Sequence, residues 1–213
     1  MNKISFHNLL PDVFKDETIL SDIWQKDISL QKGENYLVKS VSGKGKSSLC
    51  SFLFGYRTDY SGKICFDDKE TKRMTPVQWD KIRKDELSLL FQELRLFPEL
   101  TVLENIQIKN NLTGFKTEQQ IRVMLQYLGI ENKVNEKIAK MSWGQQQRVA
   151  IIRSLCQPFN FLVLDEPISH LDDENALLIA KLVQDEAKAQ GAGVVVTSIG
   201  KNLPLTYTQT FAL

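Results

Sequence analysis

Along the chain, short aliphatic and β-branched runs alternate with longer stretches of helical spacing. ENYLVKS (34–40), KICFD (63–67), LSLLFQ (87–92), NFLVLDE (160–166) and GVVVTS (193–198) are predicted strands. Between them, KSSLCSFLFG (46–55) has helical spacing and closes at Gly55, and TEQQIRVMLQYLGI (117–130) is a second helix stopped by Gly129. DDENALLIAKLVQDEAKAQG (172–191) begins with acidic residues, carries an apolar stripe and ends at Gly191, a charge order that suits the helix macrodipole. The runs FLVL (161–164) and VVV (194–196) are apolar at consecutive positions, not alternate ones. Both faces of those strands should therefore be covered, as in a parallel sheet between helices. The middle of the chain, roughly 95–155, is mostly helical and is expected to form a subdomain beside the sheet. The pattern predicts an α/β architecture without internal repeats.

Composition narrows the class. A chain of 213 residues can bury a core of one domain, or one domain with a helical insertion. Its 27 basic and 26 acidic residues leave a formal charge of +1, which gives no strong pull toward nucleic acid. Cys50, Cys65 and Cys156 are scattered and form no CxxC pair, which argues against a disulfide framework or zinc site and fits a reducing compartment. The longest apolar runs are far too short to cross a bilayer, and the opening MNKISFHNLLPDVFKDE has no signal-peptide core. A soluble, cytoplasmic protein is expected.

The candidate chemistry starts at SVSGKGKS (40–47), which lies between a predicted strand and a predicted helix. That order suits a loop that wraps phosphate: successive backbone N–H groups form an anion nest, and the helix start adds partial positive charge. Gly43 and Gly45 allow close approach of the backbone, Lys46 reaches for the β- and γ-phosphates, and the Ser47 hydroxyl suits Mg²⁺. The usual pattern, GxxxxGK[ST], has Gly where this chain has Ser40. Were a positive φ needed there, Ser would cost roughly 1 kcal/mol relative to Gly. An ordinary Gly/Ser/Lys turn is the competing reading. The second motif decides between them: FLVLDEP (161–167) is an apolar strand that ends in Asp165 and Glu166. An aspartate there can hold Mg²⁺ through water, and the glutamate after it can act as general base on the attacking water.

With these residues in place, the chain resembles the ATP-binding subunits of ABC transporters over nearly its full length. In that resemblance SVSGKGKS is the Walker A loop and FLVLDEP the Walker B strand. FQELRLFPELTVLENI (91–106) is similar to the Q-loop segment, with Gln92 sensing Mg²⁺ and the γ-phosphate. MSWGQQQRVAIIRSL (141–155) corresponds to the signature helix, usually LSGGQ, and ISHLD (168–172) to the D-loop, ending in Asp172. The segment 83–106 is most similar to the subclass serving lipoprotein-releasing, macrolide-exporting and cell-division complexes. The resemblance implies a P-loop NTPase fold: a mostly parallel core sheet, an antiparallel β portion and a helical subdomain, all in one ATP-binding domain over 1–213.

It also implies ATP and Mg²⁺ as cofactors, a head-to-tail dimer with an identical or related subunit, and a membrane permease that holds the protein at the inner face of the membrane. The nucleotide would lie on Ser40, Val41, Ser42, Gly43, Lys44, Gly45, Lys46, Ser47 and Ser48. Ser47, Gln92 and Asp165 would serve Mg²⁺. Ser142, Gly144 and Gln145 would reach the nucleotide of the partner, with Asp172 nearby. Phe14 is the candidate for stacking on adenine, with Trp24 behind it.

Three positions depart from the family pattern. Ser40 replaces the first Walker glycine, Trp143 the first signature glycine, and Ser198 the histidine that normally follows the threonine of the last core strand. Glu166, Gln92 and Ser198 are the catalytic candidates, and loss of the histidine donor is expected to slow hydrolysis, since one preorganised donor is worth on the order of 10²–10³ in rate. The indole of Trp143 either points away from the phosphate and leaves binding intact, or points inward and stops the dimer closing; the competing expectation is a packing residue against another subunit. The leading expectation is a transport ATPase. The alternative is a nucleotide-binding regulator or scaffold with little turnover. A repair or translation protein of the same family, or a small-molecule kinase, fits the compact single unit and MSWGQQQR less well.

Overall fold

The structure, a computed structural model, describes residues 1–41 and 43–213; Ser42, one of the phosphate-loop candidates, lies outside the described residues. The strands are β1 (Lys3–Pro11), β2 (Asp27–Gln31), β3 (Asn35–Lys39), β4 (Tyr60–Phe66), β5 (Lys69–Glu70), β6 (Leu87–Leu90), β7 (Phe161–Asp165), β8 (Gly193–Ser198) and β9 (Gln209–Ala212). The α-helices are α1 (Lys46–Leu53), α2 (Pro76–Asp85), α3 (Val102–Asn110), α4 (Glu118–Tyr127), α5 (Trp143–Leu155) and α6 (Asp173–Gln190).

The core sheet runs β6-β7-β8-β3-β9, and all four of its pairings are parallel. β7 and β8 are buried at every position, as their consecutive apolar residues predicted, and so is β6. Side chains alternate between two packed layers. Leu162, Leu164, Val194 and Val196 face a core shared with α3 to α6. Phe161, Val163, Val195 and Val38 face a second core shared with α1 and the antiparallel sheet β2-β1-β4-β5. Each aliphatic or aromatic side chain so buried contributes about 1.5–3 kcal/mol. The P-loop NTPase fold expected from the resemblance is present, with parallel sheet, antiparallel sheet and helices.

Four strands lay outside the predicted pattern, β1, β2, β5 and β9, and for β1 and β9 the physical reason is plain. In β1 a bulge between His7 and Leu10 puts Asn8 at φ 49°, so the burial pattern breaks into two apolar triplets and loses its period of two. Gly62 lies across from that bulge, where a Cβ would come within 2.3 Å of the Asn8 carbonyl oxygen. β9 is an edge strand whose single deeply buried residue is Phe211.

Helix starts are marked by side-chain caps. Thr75, Thr101, Thr117 and Ser142 form capping boxes with Gln78, Glu104, Gln120 and Gln145 at the starts of α2 to α5. Asp172 caps α6 through the Asn175 N–H. Such caps are worth about 1 kcal/mol each. By contrast, α1 begins at Gly45, with no side-chain cap.

Candidate nucleotide site

The open start of α1 is built by its neighbours. β3 ends at Lys39, and the chain turns through left-handed Gly43 (φ 82°) and Gly45 (φ 95°) into the helix. Phe14 and Trp24 lie directly against that turn: a Cβ on Gly45 would meet Trp24 Cζ2 at 2.9 Å and Phe14 Cε2 at 3.0 Å. Trp24 Nε1 also donates to the Lys44 carbonyl at 3.2 Å. These two aromatic rings support the loop. Phe14 is only 7 % exposed, so little ring face is left for stacking, whereas its neighbour Val13 is 65 % exposed. Without a cap, the first N–H groups of α1 remain free to bind an anion.

Ser40 does not adopt a positive φ. Its N–H bonds the Ser198 carbonyl at 3.1 Å, and its hydroxyl donates to the Val41 carbonyl at 2.6 Å. The strain allowed for at the sequence level is absent, because an extended backbone suffices at this position. Ser40→Gly is therefore expected to leave nucleotide affinity within about twofold and to destabilise by about 1–2 kcal/mol, through extra chain entropy and loss of the hydroxyl bond to the Val41 carbonyl. Calorimetric titration and thermal melts check both.

Around the open helix start lies a pocket of about 280 Å³. Gly43, Gly45, Lys46, Ser47 and Ser48 line it from the loop and helix, Gln92 from the end of β6, Glu166 from the end of β7, and Val13, Phe14 and Ile199 from connecting segments. Lys46 is buried, with Nζ 3.4 Å from the Val41 carbonyl and 3.8 Å from Glu166 Oε1. β7 and β3 flank β8, so the acidic pair and the phosphate loop meet at the same carboxyl end of the sheet.

Asp165, next to Glu166 in the chain, is buried and accepts a hydrogen bond from the Thr197 hydroxyl of β8. Burial raises its pKa, opposed by hydrogen bonding from Thr197 and Ser47 and by the charge of Lys46. Glu166 stands in the left-handed region at φ 50°, which costs an L-residue about 1 kcal/mol or more. Its N–H bonds the Thr197 carbonyl at 3.2 Å, and its carbonyl accepts from Gln147 Nε2 at 3.4 Å. Burial raises the Glu166 carboxyl as well, Lys46 and His170 lower it, and Asp165 raises it.

The remaining candidates lie outside this pocket. Ser198 is 3 % exposed, and its hydroxyl donates to the Lys201 carbonyl at 2.9 Å, so the neighbouring Ile199 lines the pocket in its place. Ser142 and Gln145 bond each other's backbone in the capping box of α5. Asp172 is taken up by Asn175 at the start of α6, and those bonds lower its pKa. Trp143 is 44 % exposed, with its ring edge-on to His170 of the same chain at 5.6 Å between centroids. Gly144 sits against Leu171, where a Cβ would be 3.1 Å from Cδ2. The large indole thus packs on the chain's own 168–172 segment.

Sequence reasoning did not find Val13, Ile199, Thr197 or Gln147. Isolated apolar residues in connecting segments carry no signal, and Thr197 and Gln147 act only through tertiary contacts.

Residues 25–169 match the ABC transporter family. The chain belongs to that family. The ABC transporter ATP-binding protein YclH of Bacillus subtilis, itself uncharacterized, is 32% identical over 188 residues, which is 86% of this chain and 80% of that protein. The lipoprotein-releasing system ATP-binding protein LolD of Idiomarina loihiensis is 33% identical over 187 residues, 85% of this chain and 79% of that one. Among solved structures, the ATP-binding cassette MJ0796, a dimer in a post-hydrolysis state bound to ADP and Pi, superposes with a TM-score of 0.77 at 26% identity, covering 92% of this chain and 87% of its own. The chain is thus an ABC ATP-binding subunit, of a family of nucleotide-binding ATPases.

A second feature of this ABC subunit lies beside Gln92. A groove of about 200 Å³ is lined by Tyr56, Phe91, Arg95, Ile108, Lys109 and Arg153, among others. Lys109 is mostly buried there, and burial, with Arg153 and Arg83 nearby, pushes its pKa down to about 8 from 10.5. A depressed lysine pKa means that the folded chain bears the cost of the charged amine below pH 8 and sheds it as pH rises toward 10.5. Lys109→Met is accordingly expected to raise the melting temperature at pH 7 by about 2–5 °C, a gain that shrinks at pH 9 to 10. The Arg83 carbonyl that accepts from Lys109 at 3.1 Å keeps a second donor in Gln157 Nε2, also at 3.1 Å.

Proposed function

We propose that this ABC subunit binds Mg-ATP at the open start of α1 and hydrolyses it with Glu166 as general base, as one of two ATP-binding subunits paired head to tail under a membrane permease. One observation carries the reading: an uncapped helix start, a buried Lys46, Ser47, Gln92 and Glu166 converge on a single pocket. The N–H groups of Val41, Gly43, Lys44 and Gly45, with Ser40 and Ser48 at either end of the loop, would cradle the phosphates, and Lys46 would bind the β- and γ-oxygens. The same sequence motif includes Ser42.

Mg²⁺ fits the donor set. A hydroxyl (Ser47), an amide oxygen (Gln92) and a carboxylate (Asp165) are all hard oxygen ligands, and a buried carboxylate raised by desolvation gains from a nearby cation. Bound there, the ion would neutralise charge between the phosphates. Glu166, raised by burial toward neutral pH, would accept the proton of the attacking water.

Ser142, Gly144, Gln145 and Asp172 lie away from the chain's own pocket, which is where residues serving a partner's nucleotide belong. The packing of Trp143 on His170 supports closure without obstruction by the indole. Slow turnover follows from the position of Ser198, whose hydroxyl is engaged by Lys201 and supplies no donor to the γ-phosphate. The whole chain works as one ATP-binding domain, with 95–155 as its helical portion.

The permease would dock in the groove beside Gln92, so that its motion and nucleotide sensing share one wall; this would hold the protein at the inner face of the membrane. No described helix is long and apolar enough to cross a membrane. Of the apolar residues in the 94–100 segment, Phe97 is 49 % exposed and suits such contact, whereas Leu94 is 3 % exposed and belongs to the core. The test is phosphate release from Mg-ATP by the purified protein beside Glu166→Gln, with ATP-dependent dimerisation read by light scattering. Release that depends on Glu166, and a dimer that accumulates with ATP in the variant, are expected. Turnover indifferent to Glu166 overturns the reading.

A further inference from the structure

The turn after Gln92 has an unusual backbone. Leu94 and Arg95 are consecutive non-glycine residues in the left-handed region, at φ 58° and 48°. Each costs an L-residue roughly 1–2 kcal/mol, so this shape does not persist on local preference. Two short bonds close the turn internally, Leu94 N–H to the Phe91 carbonyl at 3.0 Å and Arg95 N–H to the Glu93 carbonyl at 2.6 Å. The carbonyls of the two strained residues are held from outside. Arg153, near the end of α5, donates Nη1 to the Arg95 carbonyl at 2.8 Å and Nη2 to the Leu94 carbonyl at 2.5 Å.

Only a planar fork can hold two successive carbonyls in this way; a lysine ammonium is a point donor. The arrangement is costly, since burial alone pushes the Arg153 guanidinium down to about 10 with no carboxylate to oppose it. Leu94 is anchored in the core, while Gln92, just upstream, is exposed in the nucleotide pocket. Earlier in the same helix, Gln147 reaches the carbonyl of Glu166 at 3.4 Å. One helix therefore touches the backbone of Glu166 and of the turn that follows Gln92, and its start carries Ser142 and Trp143.

We propose that Arg153 is a positioning residue for Gln92: by holding the strained carbonyls of Leu94 and Arg95 it fixes Gln92 at the nucleotide pocket and ties it to α5, the helix whose start faces the partner subunit. The proposal rests on the Mg-ATP reading of the pocket. In a nucleotide cycle, a shift of α5 on subunit pairing would move Gln92 with it.

The experiment measures Mg-ATP turnover and ATP affinity for Arg153→Met and Arg153→Lys, each alone and combined with Gln92→Ala. Both Arg153 variants are expected to lower kcat about tenfold with ATP affinity changed less than about threefold, and to add less than about twofold in the Gln92→Ala background. A second cycle places Arg153→Met on Arg95→Gly and on Arg95→Ala. Glycine carries no penalty at φ 48° whereas alanine does, so the Arg153→Met loss should shrink on the glycine background and persist on the alanine one. A merely structural role for Arg153 would not distinguish these backgrounds. Full additivity with Gln92→Ala, or equal losses on glycine and alanine, overturns the proposal. Turnover untouched by Glu166→Gln in the same assay would instead mark failure of the Mg-ATP reading.

Discussion

Replacing Glu166 by Gln is expected to lower phosphate release from Mg-ATP by about 10²–10⁴-fold while ATP affinity stays within about threefold of wild type. The substitution keeps shape and hydrogen bonding but removes the base. It should also leave the backbone in place, because the left-handed conformation at φ 50° is held through the main chain of Glu166, its N–H donating to the Thr197 carbonyl and its carbonyl accepting from Gln147 Nε2. Affinity should survive because, in the proposed reading, the open start of α1 and Lys46 would carry the phosphate contacts. The pH profile supplies a second reading of the same group. Burial raises the Glu166 pKa above its ordinary value of 4.5. Activity of the wild type should then fall on acidification at a higher pH than an ordinary glutamate would give, since the protonated carboxyl cannot accept a proton. Residual turnover in Glu166→Gln should lack that acid limb. Stopped-flow phosphate release between pH 5 and 9 tests both expectations.

How much of this site was legible in the chain depends on how each part is encoded. The two motifs that declare themselves, SVSGKGKS and FLVLDEP, rest on local physics: glycines that permit a tight turn, and a consecutive apolar run ending in acid. The fold places both at one end of the parallel sheet, with Lys46 3.8 Å from Glu166. The core strands and the long helix α6 were equally plain, because their apolar periodicity and caps point the same way. What stayed hidden is tertiary. No spacing rule reveals that Ser198 turns its hydroxyl to Lys201, or that Phe14 packs against Gly45 and keeps only 7 % of its surface exposed at the pocket wall. The bulged β1 and the edge strand β9 escaped because neither has a regular buried face. Trp143 is the instructive case. Its spacing raised a question about closure, and its ring lies against His170, a residue 27 positions later in the chain that no local pattern connects to it.

Lys46→Ala is the change expected to weaken binding itself. A charge-assisted hydrogen bond to phosphate is worth about 1.5–3 kcal/mol, and each 1.4 kcal/mol is tenfold in affinity, so ATP affinity should drop about 10–100-fold. The loss reaches beyond the ligand. In the free protein Lys46 is the cation that lowers the pKa of both Asp165 and Glu166, and both carboxyls are already raised by burial. Without it they should rise further. A carboxyl whose folded pKa is raised contributes stability at pH below its unfolded value, and that stability is lost as pH rises through the folded value. Lys46→Ala should therefore be destabilised relative to wild type at pH 7 and much less so near pH 4. Lys46→Arg is not expected to rescue, because a planar guanidinium fork does not reproduce the compact ammonium that Lys46 places beside the Val41 carbonyl and Glu166. Thermal melts at the two pH values, with calorimetric titration of ATP, separate this outcome from that of Glu166→Gln. One variant loses the ligand and pH-dependent stability, and the other keeps the ligand and loses the chemistry.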